Sequence, residues 1–399
     1  MCASTARRWP GDSLGVRRLT VYVALLVMLD LALFSAIVPL LPQFAERLDL
    51  SKLQTGVLLG AYSAAVVVAA VPVGHLADRV GMRTVTIAGS LLMAAATAAF
   101  AVGDSYLVLV AARLAQGLAS AVAWSAALGW LAGAVPENRR GTEIGYANAA
   151  ATGGMVAGPI LGGAVAGALG IRETFLIVAS VSVLLAVWGA FQPDAPPAEH
   201  REPSMRPALR AAVSEPLITV SLIVIVLVAL VGGTLQVLIP LHLGDAGVSQ
   251  STIGWLYAGG AVLGSISIAL TGRAGDRIGR LPVAQIDCIF LMAAVLVLVL
   301  PLGSAAFATM LVLIAPILSV LYGVGYPMGA DGADRAGLGH GLALGLVNLV
   351  WGVGAVVGPV AGGAVAGYAG DRVAYLLLAA LCVGAALVMR SGSLRQQRA

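Results

Sequence analysis

A succession of apolar runs, each long enough to cross a bilayer and parted from the next by a short charged or turn-forming segment, constrains this chain more than any other feature. A hydrocarbon core of about 30 Å needs roughly 20 mainly apolar residues per helix. Twelve runs qualify: 19–42, 54–76, 84–103, 105–134, 142–169, 173–191, 216–243, 251–271, 281–303, 305–330, 341–368 and 372–390. A membrane barrel would alternate apolar and polar positions over about 10 residues. These runs are apolar on every face, so their many Val and Ile residues read as helical, and the predicted fold is an all-α membrane protein with twelve transmembrane helices. Composition excludes the other broad classes. Of 399 residues, 59% are apolar and 11% charged, where a soluble domain carries about 45–50% and about 25%. An ordinary soluble enzyme is therefore ruled out, and disorder requires low hydrophobicity, whereas the mean hydropathy here is +0.96.

Charge sets the expected orientation. Arg7, Arg8, Arg17 and Arg18 precede the first run, as they would in a secretory leader, but the run is too long for one and no small-residue cleavage site follows it, so it reads as a retained helix. With both termini inside, cytoplasmic segments hold 18 Lys or Arg against four in outer segments, Arg47, Lys52, Arg172 and Arg372. That bias predicts a multi-pass protein of the plasma (inner) membrane with both termini cytoplasmic. The basic residues are spread through short loops, with no basic face and interleaved aromatics for nucleic acid. Anionic membrane lipid is the expected partner of that charge. Cys2, Cys288 and Cys382 are too scattered for a disulfide framework or a zinc site. His75, His200, His242 and His340 lie at run ends or between runs, none spaced for a metal.

The chain repeats itself. Pro39 in run 1 answers to Pro240 in run 7, Asp78-Arg79 to Asp276-Arg277, and Gly158-Pro159 to Gly358-Pro359, at offsets of 201, 198 and 200 residues. Two pseudo-symmetric six-helix bundles are expected, at 19–191 and 216–390. They are flanked by cytoplasmic segments 1–18 and 391–399 and joined by a linker, 192–215, with five Pro among charges. In parallel six-span repeats, substrate sits between the halves near the midplane.

Two segments carry the same short signature. Gly74-His75-Leu76-Ala77-Asp78-Arg79-Val80-Gly81-Met82-Arg83 joins runs 2 and 3, and Gly272-Arg273-Ala274-Gly275-Asp276-Arg277-Ile278-Gly279-Arg280 joins runs 8 and 9. Gly-flanked turns let two helices close tightly, and an Asp there can accept bonds from a neighbouring helix N-terminus. In this signature the chain resembles the major facilitator superfamily, whose loop reads G-x-x-x-D-R-x-G-R-K/R; Met82 departs from it. The resemblance implies a gating role for these loops. The plainer reading is that their arginines only keep the loops inside.

Run 4 contains Arg113-Leu114-Ala115-Gln116-Gly117, similar to the superfamily's R-x-x-Q-G, with Ala119 and Ser120 in place of part of its small-residue tail. A guanidinium at that depth costs about 2.5 kcal/mol or more, so it must face water or a partner. It keeps its proton, so it either tunes a carboxylate or holds helix carbonyls together. Run 5 places Gly145, Gly154, Gly158, Pro159 and Gly163 in the pattern that the resemblance associates with antiporters. Run 11 repeats it as Gly345, Gly354, Gly358, Pro359 and Gly363. Glycines at this spacing let helices approach closely and Pro interrupts the backbone ladder, so both copies read as packing seams, whether the protein exchanges or co-transports.

Asp30 is the most informative residue. It lies 11 residues into run 1, roughly 16 Å at 1.5 Å per residue, near mid-membrane and among apolar neighbours. A carboxyl there can bind a proton and, when ionised, attract a cationic amine, unless it is permanently bonded to neighbouring helices. The stretch from Leu29 to Pro42 resembles run 1 of drug:proton antiporters close to the vesicular amine transporters. Gln236 and Asn348 stand where those transporters carry carboxylates, and an amide neither titrates nor neutralises a cation. With Asn148 they are candidate cavity residues, and Asp30 with Arg113 the candidate coupling pair. Tyr62, Trp124, Tyr257, Tyr322, Tyr326 and Trp351 are candidate cavity or packing aromatics. Asp287, seven residues from the end of a peripheral run, reads as structural, and Glu143 as a partner of Arg139 or Arg140.

The resemblance implies a proton-coupled exporter of a small lipophilic or cationic molecule, acting as a monomer, with protons as the second partner. The alternatives are a symporter or uniporter for a small metabolite such as a sugar, and a non-transporting receptor, for which no sensor domain is visible. No nucleophile and base pair or metal cluster in the runs points to an enzyme, a metal or a cofactor.

Overall fold

The computed structural model describes residues 13–192, 205–301, 303–338 and 340–396. Cys2, Arg7, Arg8, His200, Arg201, Arg398 and linker residues 193–204 lie outside them. With no water in the hydrocarbon to bond a free N–H or C=O, the chain satisfies its backbone within helices, and no strand occurs among the described residues. Twelve helices are long and apolar enough to span: Gly15–Leu48, Lys52–Val80, Met82–Val102, Tyr106–Ala134, Arg140–Leu169, Ile171–Ala190, Pro216–Asp245, Gln250–Ile278, Arg280–Val297, Ser304–Ala336, Leu342–Ala369 and Asp371–Arg390. They are spans 1 to 12 below.

Several helices outrun their apolar sequences. Gly74–Val80, expected within a turn, is the helical end of span 2, and the connection to span 3 is Gly81 alone, with φ +106°. Gly279, φ +88°, does the same between spans 8 and 9. A side chain is rarely tolerated at such a φ, whereas the polar residues before it are free to continue the helix. In the linker region, Met205–Ser214 is also helical. Span 1 tightens to a 3-10 turn at Val38–Leu40 around Pro39. Spans 4 and 5 each contain a wide π turn, at Ala123–Ala127 and Leu161–Val165, the second just after Pro159.

The sequence repeat recurs in the packing. Span 5 lies along span 1, and a Cβ on Gly158 would collide with the Ala32 carbonyl; span 11 lies along span 7, and a Cβ on Gly358 would collide with that of Leu230. Thr234 Oγ1 donates to Gly358 O at 2.8 Å across the second of these seams. Ser51 caps span 2 with Gln54, and Ser249 caps span 8 with Thr252, again 198 residues apart. Spans 3 and 6 pack together at the back of the first half and spans 9 and 12 at the back of the second. They turn Leu184, Phe290 and Leu387 outward, as lipid-facing side chains do.

The halves meet at one end and part at the other. At the Lys52 end, Lys52 Nζ bridges to Asp371 at 2.5 Å, Gln250 Nε2 donates to Gly162 O at 2.6 Å, and the backbones of Gly163 and Gly254 come into contact. At the end bearing the two Asp-Arg signatures, no hydrogen bond or ion pair joins the halves among the described residues, and Gly74, Gly145, Gly272 and Gly345 have nothing within 4 Å of where a Cβ would stand. The halves are thus joined at the Lys52 end and part toward the arginine-rich loops.

Candidate functional site

Asp30 sits at the centre of the first half with 1% of its surface exposed. Tyr62 Oη donates to its Oδ1 at 2.6 Å, while Ser120 Oγ and Trp124 Nε1 donate to Oδ2 at 2.9 and 2.8 Å. Span 4 presents Arg113, Gln116, Ser120 and Trp124 at three- and four-residue spacing, which places them on one helical face. Its Gly117 backs onto the Tyr62 carbonyl so closely that a Cβ would not fit, and this brings the donors of spans 2 and 4 to the same carboxylate. Charge-assisted bonds of this kind are roughly twice as strong as neutral ones.

Arg113 is equally buried and makes no ion pair with Asp30. Its Nη1 donates to Leu33 O at 3.3 Å and to Gln116 Oε1 at 3.1 Å, while Gln116 Nε2 donates to Thr97 Oγ1 at 3.2 Å. The guanidinium lies 4.7 Å from the centroid of the Tyr62 ring. Arg113 and Asp30 thus engage the same residue, the one by the Tyr62 ring and the other by its hydroxyl. Both sequence readings of Arg113 have a structural counterpart: it holds helix groups together and it stands next to the carboxylate's donor.

From this cluster an aromatic path crosses to the second half. Tyr62 packs on Phe34 at 5.1 Å and Phe34 on Trp351 at 6.4 Å; Trp351 Nε1 donates to Tyr322 Oη at 3.0 Å. Asn348 is exposed, and its Oδ1 accepts from Tyr326 Oη at 2.9 Å. Asn148 is exposed on span 5 and Gln236 half-buried on span 7. None of these three amides is among the hydrogen-bond partners of Asp30, which are Tyr62, Ser120 and Trp124. Ser120, the donor that sequence reading passed over, was signalled by its place on the Arg113 face.

The remaining candidates are spread. Asp78, Arg79, Asp276 and Arg277 are exposed and make no bond or ion pair among the described residues. Arg83 donates to Ala190 O, and Arg280 pairs with Asp331 of span 10. In the span 5 pattern, Gly154 and Gly158 pack on span 1 and Gly163 on span 8, whereas Gly145 touches nothing. Gly354 packs on span 7. Glu143 is buried between Arg139 Nη2 at 2.6 Å and Thr20 Oγ1 at 2.7 Å. The Asp287 Oδ2 is buried without a partner among the described residues.

A bundle of twelve spans in two like halves, joined at one end and parted at the other, with a carboxylate buried within the first half, is the architecture of a membrane transporter. The chain belongs to the Major Facilitator Superfamily, whose profile matches residues 23–333. It is 28% identical over 379 residues to the multi-drug resistance efflux pump PmrA of Streptococcus pneumoniae, covering 88% of this chain and 90% of that one. The MFS-type transporter ppzB of Metarhizium rileyi is 34% identical over 170 residues, 41% of this chain and only 35% of its own length. A solved bacterial homolog of the human lysosomal transporter Spinster, inward-facing and unoccupied, superposes with a TM-score of 0.79 at 16% identity, over 96% of this chain and 98% of that one, and shows the same fold.

Proposed function

We propose that this transporter exports a small lipophilic or cationic molecule across the plasma membrane in exchange for protons, with Asp30 as the coupling group. The observation that carries the reading is the Asp30 cluster: a mid-membrane carboxylate held by three neutral donors, with a permanent cation one ring away. Neutral donors balance the carboxylate without cancelling its charge, so proton and substrate can compete for it. The names of full-length and partial relatives, PmrA and the quinolone resistance protein NorA of Staphylococcus aureus, support efflux as the direction. The open side then faces the cytoplasm, with the halves 19–191 and 216–390 rocking about the central space as a monomer and the Asp-Arg signatures engaging when that side closes.

In proteoliposomes with an imposed pH gradient, Asp30→Asn is expected to abolish accumulation against a substrate gradient and substrate-induced proton release. Downhill exchange of a neutral compound survives. Accumulation at the wild-type rate would place coupling elsewhere, with Glu143 and Asp287 next. Orientation has its own test: an impermeant thiol reagent applied to intact cells should label neither Cys2 nor a Glu199→Cys variant until the membrane is permeabilised.

A further inference from the structure

Behind Asp30, on the side away from the other half, spans 1, 3, 4 and 6 enclose a cavity of about 20 Å³, counted as space for the centre of a water molecule. One water needs roughly 10–15 Å³ by that measure and two to four polar partners. The cavity supplies them. Asp30, Thr86, Ser90 and Ser182 line it, and Asp30 is its one charged lining residue. The three hydroxyls each donate back along their own helix, Thr86 to Met82 O at 2.7 Å, Ser90 to Thr86 O at 2.9 Å and Ser182 to Val178 O at 3.1 Å. Their hydrogens are committed, and their oxygen lone pairs remain to accept from a water. On its front face, Asp30 is covered by Tyr62, which stands between it and the Phe34–Trp351 contact with the second half.

We infer that this cavity is a proton-exit site: a water held by Thr86, Ser90 and Ser182 takes the proton from Asp30 and passes it through the interior of the first half toward the end that opens between the halves. The proton then leaves from the back of the carboxylate, while substrate approaches from the front. In the unloading step the Asp30 carboxyl gives its proton to the water, and the water passes one of its own to Ser90 Oγ. Ser90, turning from the Thr86 carbonyl, hands its own to the adjacent Tyr22 oxygen as Tyr22 releases its proton toward the Arg18 end, leaving a carboxylate and a neutral water, serine and tyrosine. Tyr22 marks the direction. It lies eight residues before Asp30 on span 1, and its buried hydroxyl stands adjacent to Ser90. Its ring meets Trp188 edge-on at 5.6 Å, and Trp188 with Arg18 and Gln192 lines a second cavity at the end of the molecule that opens between the halves. The route needs no opening of the space between the halves.

This inference rests on Asp30 exchanging protons, so the test reads that exchange directly. Infrared difference spectra of the purified protein identify the Asp30 carboxyl as the C=O band lost in Asp30→Asn, and its rate of hydrogen–deuterium exchange is followed. Ser90→Val and Ser182→Val, on separate spans, fill the cavity and should slow exchange by about tenfold or more, and the Ser90→Ala/Ser182→Ala double variant, which removes two partners but leaves the space, by about threefold. Melting temperature and downhill substrate exchange should stay near wild type. Wild-type exchange rates in the double variant and in whichever Val variants fold would overturn the route while leaving Asp30 as coupling group, with protons departing into the space between the halves. Absence of any titrating band assignable to Asp30 would remove both the route and the coupling reading.

Discussion

At the scale of single residues, Asp30 and Arg113 illustrate how a bilayer changes what a charge means. Neither is paired with an opposite charge: Asp30 is answered by two hydroxyls and an indole, whereas Arg113 bonds a carbonyl and an amide through Nη1 and lies by an aromatic ring, its Nε and Nη2 being buried without a partner among the described residues. Truncating Arg113 leaves the Leu33 carbonyl and Gln116 without their donor in a buried site, where an unmade bond costs about 1–3 kcal/mol. Arg113→Ala should therefore lower the thermal midpoint in detergent as well as transport. Arg113→Lys restores the charge but not the planar fork and stack, and should recover only part of either. Both residues were visible in the sequence because a charge inside an apolar run has no other setting to hide in. Their partners were not. When lipid and core are both apolar, periodicity does not tell which face of a helix looks inward, so Tyr62 and Trp124 were readable only as aromatics somewhere in a span and Ser120 as a small residue.

At the scale of elements, the glycine patterns of spans 5 and 11 divide by the side of the helix on which each residue stands. Gly154, Gly158, Gly354 and Gly358 let backbones touch, while Gly145 and Gly345 face the open space. Nine residues part Gly145 from Gly154 and Gly345 from Gly354, about two and a half turns that put them on opposite sides of the helix, so the pattern combines two faces and the sequence did not say which of them meets a neighbour. Gly158→Ala pushes a methyl against the Ala32 carbonyl, and overpacking of this kind costs about 1–3 kcal/mol, so loss of folded protein is expected by size-exclusion chromatography. Gly145→Ala has room in this conformation; its midpoint should match wild type while turnover falls, since the methyl stands on a face that must close when the open end shuts. Normal turnover in Gly145→Ala would mean that this face never comes into contact. The helical span ends were likewise hidden, since Asp78 and Arg79 look like loop residues until the backbone is seen to run on to Gly81.

For the molecule as a whole, the twelve spans and the two-fold repeat were legible from run lengths and from matching prolines and glycines, whereas the closed end was not. Lys52 and Asp371 are 319 residues apart and belong to different halves, and only the assembled fold places them together. The pair is partly exposed, so about 1 kcal/mol or less is at stake, enough to shift a balance between two states without unfolding either. Lys52→Glu should favour opening of this end, seen as longer distances between spin labels on the ends of spans 2 and 12. The charge-swapped Lys52→Glu/Asp371→Lys protein should return to the wild-type distribution. Unchanged distances in the single variant would assign closure to the Gly163–Gly254 contact and the Gln250 bond alone.

Gly81 is the whole of the joint between spans 2 and 3, so the two arms keep a common pivot at their arginine-rich end however either one leans. Span 2 carries Tyr62 in front of Asp30 and Gly56 against the Pro359 carbonyl of span 11, while span 3 carries Thr86 and Ser90 behind the same acid. On the proposed mechanism, a tilt that draws span 2 away from span 11 would carry Tyr62 off the front of the acid and would pull, through Gly81, on the wall behind it.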